Sequence, residues 1–71
     1  MMTKKKINDS VVIKTIQELE KNKKLATTTN ISKKTGFHIR TVQYHVQEMV
    51  ERDVLERVDK IGTTYVYKIK R

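Results

Sequence analysis

Apolar residues in the first half of the chain recur at helical spacing and predict two helices. They return to one helical face between Val12 and Leu19, shortly after Asn8, a residue that favours a helix start, so we predict a first helix over about residues 9–21. A second helix over about residues 28–35 would end at the glycine that follows it, because glycine readily adopts the left-handed conformation found after helix ends.

The third predicted helix, over about residues 39–52, presents two opposed faces. Its apolar side chains share one face at about 3.6 residues per turn, and these are Val42, Val46, Met49 and Val50. Four polar side chains share the other face, and these are Arg40, Gln43, Tyr44 and Gln47. No acid interrupts the polar face, and Arg, Gln and Tyr can hydrogen-bond base edges and phosphates. This pattern is typical of a nucleic-acid recognition helix.

After the third helix the apolar period shortens to two, which predicts strands. Tyrosine and isoleucine at alternate positions over residues 65–69 predict one strand, and residues 54–58 form a shorter candidate strand. Residues 59–63, DKIGT, would form the turn between them, with Asp59 and Gly62 as turn formers. The end of the chain is therefore predicted to be a β-hairpin.

The predicted order of elements is an α+β fold, with three helices, then a β-hairpin, and an optional short strand near Leu25. Seventy-one residues form one domain, which we assign to residues 8–71 after a flexible basic arm at residues 1–7. A core this small usually needs support, and the chain has no cysteine for disulfides. Association as a homodimer is therefore expected.

The net charge is +8, and the acids are absent from one long stretch of the chain. Between Lys21 and Gln47 there are six basic residues and no acid, and all eight acids lie outside that stretch. A surface that faces phosphates requires such a stretch, because each acid would repel the phosphates. The alternative interpretation is that the acids are missing from this stretch by chance in a lysine-rich chain. The charge favours a polyanionic partner, and no apolar run approaches the ~20 residues that span a bilayer. We expect a cytoplasmic protein that binds no membrane.

No residue pattern supports catalysis or a cofactor. Ser10 and Ser32 have no nucleophile setting, and two isolated glycines cannot form a phosphate-binding loop. Two histidines without cysteine make a weak case for a metal site. We expect a protein that is not an enzyme and has no cofactor, no metal and no small-molecule effector.

The aromatic and histidine side chains each have two interpretations. Phe37, Tyr65 and Tyr67 could stack on single-stranded nucleic acid, but we expect them in the core. His45 lies toward the apolar side of the third helix, so we expect partial burial rather than ligand binding. His38 precedes that helix, where it would cap the helix or contact a phosphate.

The whole pattern resembles the winged helix-turn-helix DNA-binding domains of small prokaryotic, archaeal and viral transcription regulators. The matching segments are ISKKTG, TGFHIRT, TVQYHVQEMVERDVL and ERVDKIGTTYVYKI, and the resemblance covers about residues 9–70. In that family the third helix lies in the major groove and the hairpin, called the wing, reaches the flanking backbone or minor groove. The resemblance implies five base-reading side chains, at Arg40, Thr41, Gln43, Tyr44 and Gln47. It places six others beside phosphates, at Thr28, Thr29, Lys33, Lys34, Lys60 and Thr63.

Two residues depart from the pattern of that family. His38 stands where a small capping residue is usual before the third helix, and Asp53 stands where many members have glycine after it. From the residues and the resemblance together we expect sequence-specific binding to double-stranded DNA by a homodimeric transcriptional regulator, with a repressor favoured over an activator. Two alternatives stay open: a protein-interaction or assembly module, and an RNA-binding module with only non-specific affinity for DNA.

Overall fold

The computed structural model describes residues 6–70 and has the predicted order of elements. Three helices precede two antiparallel strands, namely α1 (Asp9–Lys21), α2 (Thr28–Thr35), α3 (Ile39–Glu51), β1 (Leu55–Ile61) and β2 (Thr64–Ile69). The predicted α+β fold is confirmed, and every helix lies within one residue of its predicted bounds. Residues 1–5, most of the predicted arm, lie outside the described residues, and Ile7 already packs half-buried against the core.

Side chains that accept hydrogen bonds cap the starts of α1 and α2. Asn8 Oδ1 accepts from the backbone N–H of Val11 at 2.9 Å, and Thr27 Oγ1 accepts from that of Asn30 at 3.1 Å. These bonds satisfy N–H groups that have no partner within their helix. α2 ends at Gly36, whose φ of +84° is left-handed and therefore suits glycine. Three residues, Gly36 to His38, separate α2 from α3.

The core forms where the apolar faces of the three helices meet one face of the hairpin. α3 contributes its predicted apolar stripe, of which the first three members have no exposed surface. The expected placement of the aromatic residues is confirmed, because Tyr67 is buried in the core and Phe37 and Tyr65 pack against it. The remaining core members are Val12, Ile16, Leu19, Ala26, Ile31 and Leu55.

The hairpin has a longer first strand and a shorter turn than the sequence predicts. β1 continues to Ile61, so the turn is Gly62–Thr63 rather than residues 59–63. The glycine of this turn has a φ of +63°, and a two-residue hairpin loop requires a positive φ at its first position. Asp59 and Lys60 lie in β1, so their predicted place in the turn is wrong. A single glycine at the right position is enough to reverse the chain here.

A β-bulge changes which side chains of β1 share a face. The register of the hairpin shifts between Arg57 and Asp59, which leaves Val58 as an extra residue on β1. Residues two apart share a face in a regular strand, but an extra residue reverses that parity beyond it. Arg57 and Lys60, three positions apart, therefore lie on one face of the hairpin, and both approach the ring of Tyr65.

The link between α1 and α2 adjoins β2. Thr27 forms an isolated antiparallel bridge with Val66, and the carbonyl of Ala26 accepts from the N–H of Tyr67 at 2.9 Å. The optional strand near Leu25 is thus reduced to one bridge, and Leu25 itself is half-exposed. The bridge holds the start of α2 beside the hairpin.

An ion-pair cluster ties the start of α1 to the second half of α3. Asp9 Oδ1 lies 2.7 Å from His45 Nε2, and the two Asp9 oxygens lie 3.0 and 2.9 Å from the two terminal nitrogens of Arg52. Hydrogen bonds from Arg52 lower the pKa of the Asp9 carboxyl, and the same bonds raise the pKa of Arg52. The side chain of His45 is 18% exposed, so its expected partial burial is confirmed. We call these three residues the Asp9 cluster.

Candidate nucleic-acid interface

The predicted polar face of α3 is exposed and lines a shallow concavity of about 280 Å³. Its lining consists of the four expected side chains, Arg40, Gln43, Tyr44 and Gln47. Tyr44 is 67% exposed, so most of its ring is open to solvent. Thr41, the fifth predicted base reader, is exposed on α3 but lies outside this lining. Because all four lining residues belong to one helix, their spacing alone brings them together.

A second concavity of about 270 Å³ lies between α3 and the hairpin, and we call it the α3–hairpin groove. Three parts of the fold line it. The helices contribute Thr28, Thr29, Ile39, Gln43 and Gln47. The hairpin contributes Arg57, Thr63, Thr64, Tyr65 and Tyr67. The groove exists because the Thr27 bridge and the core hold α2, α3 and β2 side by side.

The two concavities form one continuous surface, because Gln43 and Gln47 line both of them. No carboxylate belongs to either lining. Apart from Ile39, the lining side chains carry amides, hydroxyls or, in Arg40 and Arg57, guanidinium groups, and all of these groups can donate hydrogen bonds. A donor-rich surface without acids suits a ligand that carries negative charge and hydrogen-bond acceptors, as a nucleic acid does.

Arg57 is the charged side chain of the groove, and no local pattern of the sequence predicts its place there. Its Cζ lies 4.7 Å from the centroid of the Tyr65 ring, and Nζ of Lys60 lies 5.3 Å from the same centroid. Stacking of a cation on an aromatic ring is favourable and restrains the side chain. By simple alternation Arg57 and Lys60 would point to opposite faces, and only the bulge at Val58 places them together.

The predicted phosphate-contacting threonines lie at the edges of the groove. Thr28 and Thr29 form the first turn of α2, although Thr28 is only 6% exposed. Thr63 lies in the turn of the hairpin. These lining residues come from two different elements, α2 and the turn of the hairpin.

Lys33 and Lys34 do not belong to this surface. They line a third concavity, of about 260 Å³, whose other lining residues are Leu19, Asn22, Lys24 and Asn30. Lys34 Nζ lies 3.3 Å from Glu18, an acid of α1 that precedes the acid-free stretch. We call this third concavity the lysine corner. The single acid-free stretch of the sequence thus folds into two separate surfaces.

The two departures from the family pattern have local explanations. His38 caps α3, because its Nδ1 accepts from the backbone N–H of Arg40 at 3.1 Å, and α3 begins at the next residue. The expected capping role is therefore confirmed, and the ring Nε2 stays free to donate toward a phosphate. Asp53 has a φ of +63°, a conformation that aspartate tolerates better than most residues. Asp53 thus has the left-handed conformation that glycine readily adopts, between the end of α3 and the start of β1.

Two features are absent from residues 6–70. None of the helices there is long and apolar enough to cross a membrane. No group of three or more His, Cys, Asp or Glu side chains in that range could hold a metal ion. Comparison of the chain with protein-family models, with curated proteins and with solved structures gave no significant match.

Proposed function

We propose that this protein binds double-stranded DNA sequence-specifically and acts as a homodimeric transcriptional regulator. The observation that carries the proposal is the continuous, acid-free surface formed by the polar face of α3 and the α3–hairpin groove. The order of three helices and a hairpin agrees with the winged helix-turn-helix resemblance of the sequence. In this proposal α3 enters the major groove and the hairpin serves as the wing.

The side chains of α3 suit the chemistry of the major groove. That groove is about 12 Å wide and admits one α-helix. A guanidinium pairs with the two acceptors of guanine, and a carboxamide pairs with the donor and acceptor of adenine. Arg40 would read a guanine, and Gln43 and Gln47 would read adenines. Tyr44, with its exposed ring and hydroxyl, would contact the sugar-phosphate backbone or a base edge.

The hairpin suits the phosphate backbone next to the helix. Arg57 and Lys60 share the groove-facing side, where the ring of Tyr65 positions their charges. Phosphate contacts fix the register of a protein on the duplex but carry no sequence information. The guanidinium of Arg57 would therefore orient α3, while α3 would supply the discrimination.

A homodimer would extend the contact to two half-sites. Two copies related by a twofold axis would place their α3 helices about 34 Å apart, one helical turn of DNA, on a pseudo-palindromic site. Doubling the contacts would raise the affinity of a domain that is too small to cover more than a few base pairs.

Selection from a random duplex library tests the proposal. We expect an enriched motif, and binding to it should weaken steeply with salt because each neutralised phosphate contributes close to one unit of log-log slope. Titration of the enriched duplex and of a scrambled duplex at two salt concentrations measures both effects. The Lys14→Ala variant controls for the loss of one positive charge outside the proposed DNA surface, since Lys14 is an exposed cation on α1 that lines none of the three concavities.

Three outcomes of this experiment have different meanings. An enriched motif with a retained preference at the higher salt supports the proposal. Sequence-blind binding that disappears at the higher salt contradicts it and favours the protein-interaction alternative. Stronger binding to single-stranded RNA loops than to any duplex contradicts it in favour of RNA recognition.

A further inference from the structure

Ile39 is an exception among the apolar residues of α3. The other apolar residues of α3 belong to the core or pack against it, whereas Ile39 is half-buried and belongs to neither group. Its side chain lines the α3–hairpin groove, where it is the one aliphatic residue among the lining residues. The part of this aliphatic group that the fold leaves open to water could be buried against an apolar group of a ligand in the groove, and such burial is favourable.

The position of Ile39 in α3 brings it close to the expected reading site. It is the first residue of α3, and the N-terminal residues of a recognition helix contact base edges. Gln43 lies four residues further on, one turn along the same face, and lines the same groove. The rise between the two residues is about 6 Å along the helix, less than two base-pair steps of about 3.4 Å each, so their side chains can reach the same or a neighbouring base pair.

The major groove offers one apolar group, the C5-methyl of thymine. We propose that Ile39 contacts the methyl group of a thymine while Gln43 pairs with an adenine at the same or the neighbouring base pair. The preferred duplex therefore contains an A·T pair facing the first turn of α3. This inference rests on the proposed function and adds to it a specificity-determining residue and a base preference.

Replacement of single thymines by deoxyuridine tests the inference without disturbing base pairing, because uracil differs from thymine only by the missing methyl. The probe is the duplex enriched from the random library, with one thymine replaced at a time. For the wild-type protein, Kd should rise about fourfold at one position per half-site, the size expected for one apolar methyl group. For Ile39→Ala, the thymine and uracil duplexes should bind equally at that position.

Two further variants guard against an indirect effect of the substitution. Val58→Ala removes an exposed aliphatic side chain outside the groove and should keep the full fourfold response to uracil. Ile39→Val keeps a branched aliphatic side chain and should keep part of the fourfold rise in Kd on replacement of thymine by uracil. Circular dichroism spectra and thermal melts of all variants check that the fold is intact.

The possible failures are distinguishable. If a motif is enriched but no uracil position weakens the wild-type protein, the inference is wrong and the proposed function stands. If a uracil effect exists and Ile39→Ala responds to it as wild type does, another residue reads the methyl and the assignment to Ile39 is wrong. If no motif is enriched, the proposed function fails and the inference fails with it.

Discussion

Two basic surfaces of this molecule arise from one acid-free stretch of sequence, yet they differ in chemistry. The surface made by α3 and the α3–hairpin groove combines arginine with glutamine, threonine and tyrosine, and no acid belongs to it. The lysine corner combines three lysines with two asparagines, and one of its lysines is paired with Glu18. The first surface has donors of fixed geometry, whereas the second has flexible point charges.

This difference shows that the sign of charge along a chain does not define a binding surface. Lysine attracts any polyanion, but a planar guanidinium or carboxamide can distinguish one base from another. We therefore expect substitutions on the first surface to change sequence discrimination or the salt dependence of DNA binding. Substitutions in the lysine corner should change neither by much.

The largest expected effect is that of Arg40→Ala. Loss of its guanidinium should reduce discrimination between the enriched and a scrambled duplex by about 1–3 kcal/mol, because a bidentate contact to guanine is lost. Lys33→Ala removes one positive charge from the lysine corner and should leave discrimination unchanged. The ratio of the Kd values for the two duplexes measures discrimination. If Arg40→Ala and Lys33→Ala discriminated equally well, the two surfaces would not differ in their contribution to sequence recognition.

A smaller effect is expected for Arg57→Ala. It should weaken binding to all duplexes alike and reduce the log-log salt slope by about one unit, since one phosphate contact is lost. The matched control is Lys68→Ala, which removes a cation from the same hairpin outside the groove. If Arg57→Ala lost affinity for some duplex sequences more than for others, the hairpin would contribute to base reading. If the salt dependence of binding were unchanged, Arg57 would not contact a phosphate.

A change in stability rather than binding is expected for Asp9→Asn. The Asp9 cluster joins α1, which carries part of the lysine corner, to α3, which carries the polar face. The pKa of Asp9 is lowered in the folded protein from the ordinary value of 3.8, so the stabilisation is present above that value and is lost as pH falls through the folded pKa. Asp9→Asn should therefore lower the melting temperature by a few degrees at pH 7 and by less at pH 2, because more of the Asp9 carboxyl is protonated there.

Thermal melts at both pH values, with Glu51→Gln as a variant that removes an exposed acid from α3, test this stability effect. If Asp9→Asn lowered the melting temperature equally at both pH values, packing or capping, and not the charge of Asp9, would account for the loss of stability. Discrimination between the enriched and the scrambled duplex should be unaltered at pH 7, because none of the residues of the Asp9 cluster lines the polar-face concavity of α3 or the α3–hairpin groove.

The smallest effect is expected for Glu18→Gln. The ion pair with Lys34 is exposed, with side-chain exposures of 37% and 48%, and exposed pairs contribute only about 0–1 kcal/mol. Breaking it frees Lys34 and raises the positive charge of the lysine corner. Discrimination should stay unchanged and overall affinity should rise only slightly at low salt. A clear gain in sequence-specific affinity would place the lysine corner on the DNA after all.

The helices and the polar face of α3 could be predicted because they depend on local periodicity. An i, i+3, i+4, i+7 relation places Arg40 and Gln47 on one face in any α-helix, whatever surrounds it. The hairpin was predicted less well. Residues such as Asp59 favour turns in general. The chain reverses at Gly62–Thr63 instead, because the first residue of this two-residue turn needs a positive φ, which Gly62 supplies.

Arg57, the Asp9 cluster and the lysine corner could not be predicted, and the reason is the same for all three. Arg57 faces the groove because of a bulge, and alternation along the strand predicts the opposite relation to Lys60. Asp9 meets Arg52 from 43 residues away. Lys34 lies in the lysine corner, where Glu18 of α1 comes within 3.3 Å of it. Each placement depends on how distant elements pack, which no local pattern contains.

The sequence by itself determined the elements, their order, the two faces of α3 and the absence of acids between Lys21 and Gln47. Only the tertiary structure decided how those residues divide between the groove and the lysine corner, and it brought Arg57 and Ile39 together in the α3–hairpin groove. The physical reason is that periodicity acts within one element, whereas a surface is assembled from several elements whose packing follows from the shared core.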